Sequence, residues 1–280
     1  MDIFSIIGVF FGIGMILVGY ILEHGKIQSL ILLSPALIVF GGTVGALMLS
    51  YTQNIITKAP KLILEALKKP KSKVPELIDF LVMLSESARR DGLLSLEKVV
   101  EEEQNKKAID PLLKRGIIMV IDGTDLQEIR ELLETEIFVY EENKKIEASF
   151  FEAAGGYSPT MGIIGTVLGL VQVLSNMSTP EELAKSIAVA FIATLYGIMF
   201  ANLIYLPIGN KLKLQLKYYK LEKEMIIEGI CCIRNGENPK MLRERLSAFL
   251  QLDPQKKKKS GKNAEIKAQA PKKKAAKAKA

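Results

Sequence analysis

The chain has 280 residues, of which 49% are hydrophobic and 25% charged, and its formal net charge is +7. It contains a single histidine and two adjacent cysteines, Cys231 and Cys232, which are too few for a zinc site and unsuited to an ordinary structural disulfide. No phosphate-binding glycine loop, HExxH, CxxC or GxSxG motif occurs. These features argue against a bound cofactor, a metal centre and an enzyme.

Four long stretches carry no charged side chain, namely residues 3–22, 27–57, 153–180 and 186–210. Each reaches the ~20 residues that an α-helix needs to cross a bilayer, and a soluble core rarely needs uncharged runs of this length. We therefore predict four transmembrane helices in two pairs. The first stretch is too long for a signal peptide and follows Asp2 instead of a basic segment, so we expect it to stay in the mature protein.

The distribution of positive charge predicts the orientation. Residues 58–152 hold 16 Lys and Arg, whereas the short connector at residues 23–26 holds one Lys and the connector at residues 178–182 holds none. Positive charge stays in the cytoplasm. We expect a multi-pass protein of a bacterial inner membrane, with both termini and a cytoplasmic domain at residues 58–152 on the inner side.

The charged segments have helical periodicity. We predict short helices at residues 61–68, after Pro60, and at residues 75–90, 93–103 and 111–121. A long acidic helix then starts at Asp125 and can continue into the third span. Residues 211–233 extend the fourth span to a break at Asn235 and Gly236, and a last helix covers residues 239–250. No strand pairs with turn chemistry are present, so the predicted fold class is all-α.

The last segment, residues 253–280, carries 11 Lys against two acidic residues, which leaves residues 1–252 with a net charge of −2. Its Lys- and Ala-rich composition predicts disorder. A polybasic tail beside a membrane is attracted to anionic lipid, and nucleic-acid binding is the alternative. We favour a solvated or lipid-grazing tail that binds no nucleic acid.

Small residues recur at helical spacing in every span, which lets transmembrane helices approach closely. The pairs are Gly8 and Gly12, Gly41 and Gly45, Gly165 and Gly169, and Ala193 and Gly197. For the first two spans we expect plain bundle packing. The stripes of the third and fourth spans each include a threonine, Thr166 and Thr194.

Three segments resemble the MotA/PomA flagellar stator subunits of the MotA/TolQ/ExbB proton-channel superfamily. The third transmembrane helix of that family is similar to GGYSPTMGIIGTVLGL at residues 155–170. Its fourth is similar to AVAFIATLYG at residues 188–197, followed by Ala201, Asn202 and Pro207. Its rotor-facing motif is similar to SARRDGLLSLE at residues 87–97. The resemblance extends to about residue 250 and omits only the Lys-rich tail.

This resemblance implies an ion-channel subunit that forms a ring of five around two copies of a MotB-like partner. The partner would contribute one transmembrane helix with the ion-binding Asp and a peptidoglycan-binding domain. Flow of H⁺, or alternatively Na⁺, would turn the ring and drive the rotor switch protein FliG. An intramembrane ionisable group marks an ion pathway, and a partner's Asp accounts for its absence here.

The resemblance also implies residue roles. Arg89 and Glu97 fall on rotor-interacting charges, with Arg90 as an auxiliary, and the alternative is a solvated helix face of little energetic weight. Pro159 and Pro207 fall on two prolines that couple conformational changes, and the alternative is an ordinary helix start or kink.

Thr166 and Thr194 fall on hydroxyl positions beside the ion path, and the alternative is a local hydrogen bond to the carbonyl one turn back. A hydroxyl can coordinate Na⁺ or hold water for H⁺ transfer, and we favour H⁺. Two other functions stay open. One is a TolQ/ExbB-type energiser, against which the leading hairpin and the charged motif argue, and the other is a non-transporting membrane scaffold.

Overall fold

The computed structural model describes residues 2–68, 74–106, 109–175 and 180–252. Its α-helices are α1 (Ile3–Leu22), α2 (Leu33–Ala36), α3 (Gly42–Ser50), α4 (Gln53–Ala66), α5 (Val74–Asp91), α6 (Ser95–Lys106), α7 (Pro111–Ile121), α8 (Leu126–Ser175), α9 (Pro180–Phe200), α10 (Leu206–Arg234) and α11 (Pro239–Ser247). Two π-helical segments, Leu37–Gly41 and Ala201–Tyr205, join α2 to α3 and α9 to α10. The described ranges hold no β-strand, which confirms the predicted all-α class.

The chain divides into two compact units. The first contains Met1–Pro70 and Tyr140–Lys217, and the second contains Lys71–Val139 and Tyr218–Ala280. Residues 176–179, in the connector between the third and fourth spans, and the tail from residue 253 lie outside the described ranges, as do residues 69–73 and 107–108.

The first unit contains the apolar spans, and the structure confirms four helical segments long and apolar enough to cross a membrane. The first span coincides with α1, none of whose residues is buried in this chain. The third span is the second half of α8, and the fourth runs from α9 into α10. A long apolar helix without burial is a surface for lipid or for another chain.

The second span differs from the prediction at both ends. It begins with a 3₁₀ turn at Ile27–Leu30, and regular α-helix starts only at Leu33, after an extended Leu32. It ends at Ser50 instead of residue 57, because the backbone is extended at Tyr51 and Thr52. The uncharged run therefore includes the end of one helix and the start of the next.

The helix predicted after Pro60 is also placed wrongly, since α4 begins at Gln53 and contains Pro60 in its interior. A proline inside a helix costs about 3 kcal/mol. Here α4 packs an apolar face against the core of the first unit, with Leu62 and Ala66 buried and three more side chains partly buried, and the apolar area removed from water offsets that cost. The face consists of Ile55, Ile56, Ala59, Leu62 and Ala66.

Polar contacts at one end of the first unit fix its topology. The backbone amide of Asp2 donates to the carbonyl of Leu67 at 2.6 Å, and the Asp2 carboxylate forms an ion pair with Lys211. The hydrogen bonds from Lys211 and Ser5 hold the pKa of Asp2 below its usual value. The start of α1 and the end of α4 therefore lie at the same end of the unit.

The second unit has a dense aliphatic core. Its fully buried side chains include Leu81, Leu84, Leu96, Leu113, Ile117, Ile129, Leu133, Met225, Ile226, Ile230, Ile233 and Leu242. Cys231 and Cys232 lie in this core as free cysteines. Burial raises the pKa of Cys232 to about 12, so that its side chain stays an unreactive thiol.

Helix ends in the second unit follow the predicted signals. The carboxylate of Asp110 caps α7 by accepting from the amide of Leu112 at 3.0 Å, and it also forms an ion pair with the buried Lys223. Gly92 and Gly236 have φ of +85° and +66° and follow α5 and α10. The predicted bounds of α7 and the breaks beside these glycines are confirmed.

Candidate functional site

Helices α8 and α9 approach each other closely enough for their backbones to touch. A Cβ on Gly197 would lie 2.5 Å from the carbonyl oxygen of Ser158, and a Cβ on Gly162 would lie 2.9 Å from that of Ala193. A Cβ on Gly169 would lie 2.6 Å from Cβ of Ala190. The stripes of the third and fourth spans are therefore a helix contact, as predicted.

The stripes of the first two spans behave differently. Within this chain a Cβ on Gly8, Gly41 or Gly45 would meet nothing within 4 Å, whereas one on Gly12 would lie 3.0 Å from Cδ2 of Leu203. Gly12 therefore packs within the chain, and bundle packing at the other three positions stays a prediction. Gly42 makes the contact instead, with Sδ of Met161 only 2.6 Å from its Cβ position. The π-helical segment Leu37–Gly41 explains the offset, because its wider turn rotates the residues that follow.

The close contact brings Thr166 of α8 and Thr194 of α9 together. Their hydroxyls are hydrogen-bonded to each other, and the Thr166 hydroxyl also lies 3.1 Å from the carbonyl oxygens of Gly162 and Ala190. The Thr194 hydroxyl lies 3.4 Å from the carbonyl oxygen of Gly162. The hydrogen bond from Thr166 to the carbonyl one turn back, which was the alternative interpretation, is present. It is part of a cluster of four oxygens that bridges the two helices.

This cluster has a definite chemistry. Each hydroxyl has one proton to donate, so the two protons can satisfy one hydroxyl–hydroxyl bond and one bond to a carbonyl. The remaining lone pairs can accept from water or coordinate a cation. None of these four oxygens belongs to an ionisable group, and the four spans contain no Asp, Glu, Lys, Arg or His. The cluster offers oxygen lone pairs to water or to a cation, but it cannot bind and release a proton by itself.

Ser158 belongs to the same contact, although sequence reasoning did not select it. Its side chain is fully buried, and its hydroxyl donates to the carbonyl of Gly197 at 3.1 Å. The signal was its position four residues before Gly162 on the α8 stripe. A serine in that register adds a hydrogen bond between the helices to the close backbone contact at the same residue.

Both prolines named in the sequence lie inside helical segments. Pro159 is in the interior of α8, with its Cα 3.1 Å from the Cβ position of Gly197. Pro207 is exposed, at the second residue of α10. A proline ring clashes with the carbonyl four residues earlier, which here belongs to Leu203 in the π-helical segment Ala201–Tyr205. The widened turn before Pro207 relieves that clash.

The charged motif forms a turn in the second unit. Arg89 and Arg90 are exposed in the last turn of α5, and Glu97 is exposed in the first turn of α6. The hydroxyl of Ser95 lies 2.6 Å from the Gly92 carbonyl and 3.3 Å from that of Ser87, which fixes the turn.

The electrostatics of this turn are local. Arg90 pairs with Asp91 at 2.9 Å, and the hydrogen bond between them lowers the pKa of Asp91 and raises that of Arg90. Arg89 and Glu97 therefore carry the outward-facing charge of the motif. The structure places these charges in one unit and the threonine pair in the other.

Replacing Gly197 with alanine tests the α8–α9 contact. The added methyl meets backbone atoms that cannot move aside, and we expect a loss of about 1–3 kcal/mol of stability. Thermal unfolding of the purified chain in detergent measures the effect. Gly19→Ala is the control, because its Cβ position is open and alanine favours the helix. Equal unfolding midpoints for the two variants would show that the helices are not held by this contact.

Two family models and several known proteins match this chain. Residues 6–92 match the Motility protein A N-terminal family, and residues 104–225 match the MotA/TolQ/ExbB proton channel family. Motility protein A of Helicobacter pylori is 38% identical over 89% of this chain and 95% of its own length. Motility protein A of Bacillus subtilis is 33% identical over 89% of this chain and 91% of its own length.

A solved structure of MotAB from C. jejuni superposes with a TM-score of 0.82 at 35% identity, covering 91% of this chain and 98% of that chain. Identity of this level along nearly the whole chain, together with the shared fold, establishes the family. The chain belongs to the motility protein A branch of the MotA/TolQ/ExbB proton channel family.

Proposed function

We propose that this chain is the ion-conducting subunit of a flagellar stator and works with a MotB-like single-span partner. The observation that carries the proposal is the Thr166–Thr194 hydroxyl pair, held at a backbone contact between two spans that contain no Asp, Glu, Lys, Arg or His. In this role the chain moves ions down their gradient and converts the flow into rotation. It catalyses no covalent reaction.

The partner supplies the missing carboxylate. An ion pathway through hydrocarbon needs a group that binds and releases the ion. Ionisable residues are rare in transmembrane spans, and those that occur usually mark such a pathway. The hydroxyl cluster has oxygen lone pairs but no titratable proton near neutral pH. An Asp on the partner's helix, beside Thr166 and Thr194, would complete the path.

The assembly is proposed as five copies of this chain around two copies of the partner. Two features support contacts with other chains. Helix α1 buries none of its residues within the chain, and the faces of Gly41 and Gly45 are open. Small residues on an open face allow a further transmembrane helix to approach closely.

The location is proposed as the bacterial inner membrane, with both termini in the cytoplasm. The contacts of Asp2 with Leu67 and Lys211 support this topology, since they place the N-terminus at the end of the first unit that leads into the charged segment. The excess of Lys and Arg in residues 58–152 favours the inner side for that end.

The rotor contact is assigned to the exposed charges Arg89 and Glu97, with Arg90 as an auxiliary, and to the switch protein FliG as the partner. Pro159 and Pro207 are proposed to transmit conformational change. The π-helical segment beside Pro207 supports this role, because such segments often mark functional sites in helices.

The coupling ion is proposed to be H⁺, with Na⁺ as the alternative. The two hydroxyls bond to each other and to carbonyls, and their remaining lone pairs can hold water for proton transfer while the pair stays intact. Simultaneous coordination of Na⁺ by both hydroxyl oxygens would compete with the bond between them.

Ion flux in vesicles tests the proposed function. The chain reconstituted alone should carry no selective ion current, because its uncharged stretches hold no Asp, Glu, Lys, Arg or His. Addition of the partner should produce a current that disappears when the partner's membrane Asp is replaced by Asn. A robust, selective current from the chain without any partner would overturn the proposal.

Replacing both Thr166 and Thr194 with alanine tests which ion is coupled to rotation. If Na⁺ is the coupling ion, rotation should fall sharply, by roughly tenfold or more, because two coordinating oxygens are lost. If H⁺ moves through water, the decrease should be milder. Thr160→Ala is the control, since its hydroxyl donates to the Tyr157 carbonyl of its own helix and is exposed. Rotation speeds in Na⁺-free and Na⁺-containing media give the measurement.

Charge reversal tests the rotor contact. Arg89→Glu or Glu97→Lys should lower motility roughly two- to tenfold while leaving membrane level and ion flux unchanged, since exposed charges steer association without holding the fold. Recovery by an opposite reversal on the rotor protein would show direct contact. The control is Glu244→Lys, an exposed reversal on α11 of the same unit. Failure of the Arg89 and Glu97 variants to accumulate would mean that these residues are structural.

A further inference from the structure

The second span has a break in its backbone that the rest of the first unit must satisfy. Leu30 ends the 3₁₀ turn, and Leu32 is extended with φ −127° and ψ 131° before α2 begins. The Leu30 carbonyl and the Leu32 amide therefore lie outside a regular helical ladder. Inside a membrane, unpaired backbone groups of this kind are costly and need another partner.

The hydroxyl of Tyr196 on α9 bonds to both groups. It donates to the Leu30 carbonyl and accepts from the Leu32 amide at 3.1 Å. The ring is held as well: Tyr196 stacks on Phe40 at a centroid distance of 6.2 Å, and Phe40 meets Phe200 edge-on at 4.5 Å. One side chain thus fixes the beginning of the second span to the fourth.

The direction of this side chain explains its reach. Side chains on a helix lean towards its N-terminus, so Tyr196 reaches the start of the second span from a position nearer the C-terminal end of α9. The segment that follows the break lies against the hydroxyl cluster's helices, since Ile38 contacts the Cβ position of Gly165 at 3.5 Å. Gly165 is the residue before Thr166. The second span therefore packs beside the cluster, and Tyr196 ties that span to the helix that bears Thr194.

We propose that the Tyr196 hydroxyl is a positioning group for the ion path, a role that rests on the proposed function. Its two hydrogen bonds hold the start of the second span in place, and that span in turn supports Thr166 and Thr194. Without the hydroxyl, the ring stack remains but two backbone groups lose their partner. The start of the second span then shifts until these backbone groups find other partners. The Thr166–Thr194 pair thereby loses a neighbour that was fixed in place.

Tyr196→Phe removes the hydroxyl and keeps the ring. The matched control is Tyr20→Phe, which removes an exposed hydrogen bond of 2.9 Å between Tyr20 and Ser29. Ser29 lies in the same 3₁₀ turn as Leu30. Two measurements are made on the full chain with its partner. One is hydrogen exchange at the Leu32 amide in lipid nanodiscs, and the other is the rotation speed contributed by each stator unit in a host without its own stator.

We expect Tyr196→Phe to raise exchange at Leu32 about tenfold, since a partly buried hydrogen bond is lost. The speed per unit should fall at least about twofold, with a normal number of units on the motor, because a small misplacement is costly to ion transfer. Tyr20→Phe should change neither. A purely structural role would lower the number of units and leave the speed of each unit unchanged.

Unchanged exchange at Leu32 would overturn the hydrogen-bonding role, and raised exchange with unchanged speed would overturn the positioning role. If Tyr196→Phe does not accumulate, p-aminophenylalanine at position 196 retains a donor, and it should give intermediate exchange and speed. Raised exchange at Leu32 together with an unaltered speed in that variant would overturn the positioning role. A wild-type chain that drives no rotation with its partner would instead refute the proposed function, while the exchange result would still decide the hydrogen bond.

Discussion

The backbone contact between α8 and α9 is the interaction on which the candidate site depends. Without side chains at Gly162 and Gly197, the two helices come close enough for the hydroxyls of Thr166 and Thr194 to meet. Lipid gives no hydrophobic drive for helix association, so van der Waals packing and interhelical hydrogen bonds must hold this contact. The Ser158 hydroxyl contributes one such bond, to the Gly197 carbonyl. The geometry that stabilises the pair of helices therefore also creates the polar cluster.

Two kinds of residue show how far the sequence predicts this site. The threonines and glycines of α8 and α9 were predicted because spacing along a helix determines which positions share a face. Gly41 was predicted to pack and Gly42 was not, and the reverse is true inside the chain. The cause is the π-helical segment that ends before Gly42. Its wider turn shifts by one position the residue that faces Met161 of α8. An extra residue in a turn leaves no mark on composition or charge, so periodicity alone could not reveal it.

Some helix ends could likewise be predicted from local sequence, whereas others depend on packing against distant residues. Asp110 and Pro111 mark the start of α7, and both are local signals because a cap and a first-turn proline act within a few residues. The start of α4 was missed because Pro60 was taken as a boundary. Its tolerance depends on packing against residues distant in the chain, such as Phe150 and Leu212. Likewise, nothing near Leu32 in the sequence indicates Tyr196, which is 164 residues away.

Polar groups are distributed differently in the two units. In the second unit a charge can be buried where a partner is provided, as Lys223 is with Asp110. Burial alone would raise the pKa of Glu228, but hydrogen bonds from Arg245 and Arg130 outweigh it and keep that pKa below its usual value. The stability from these bonds is present near neutral pH and is lost as the pH falls through the lowered pKa. In the spans of the first unit, neutral hydroxyls replace such ion pairs. A permanent charge there would have to be neutralised, whereas hydroxyls give the contact between α8 and α9 polar oxygens without a charge in the hydrocarbon.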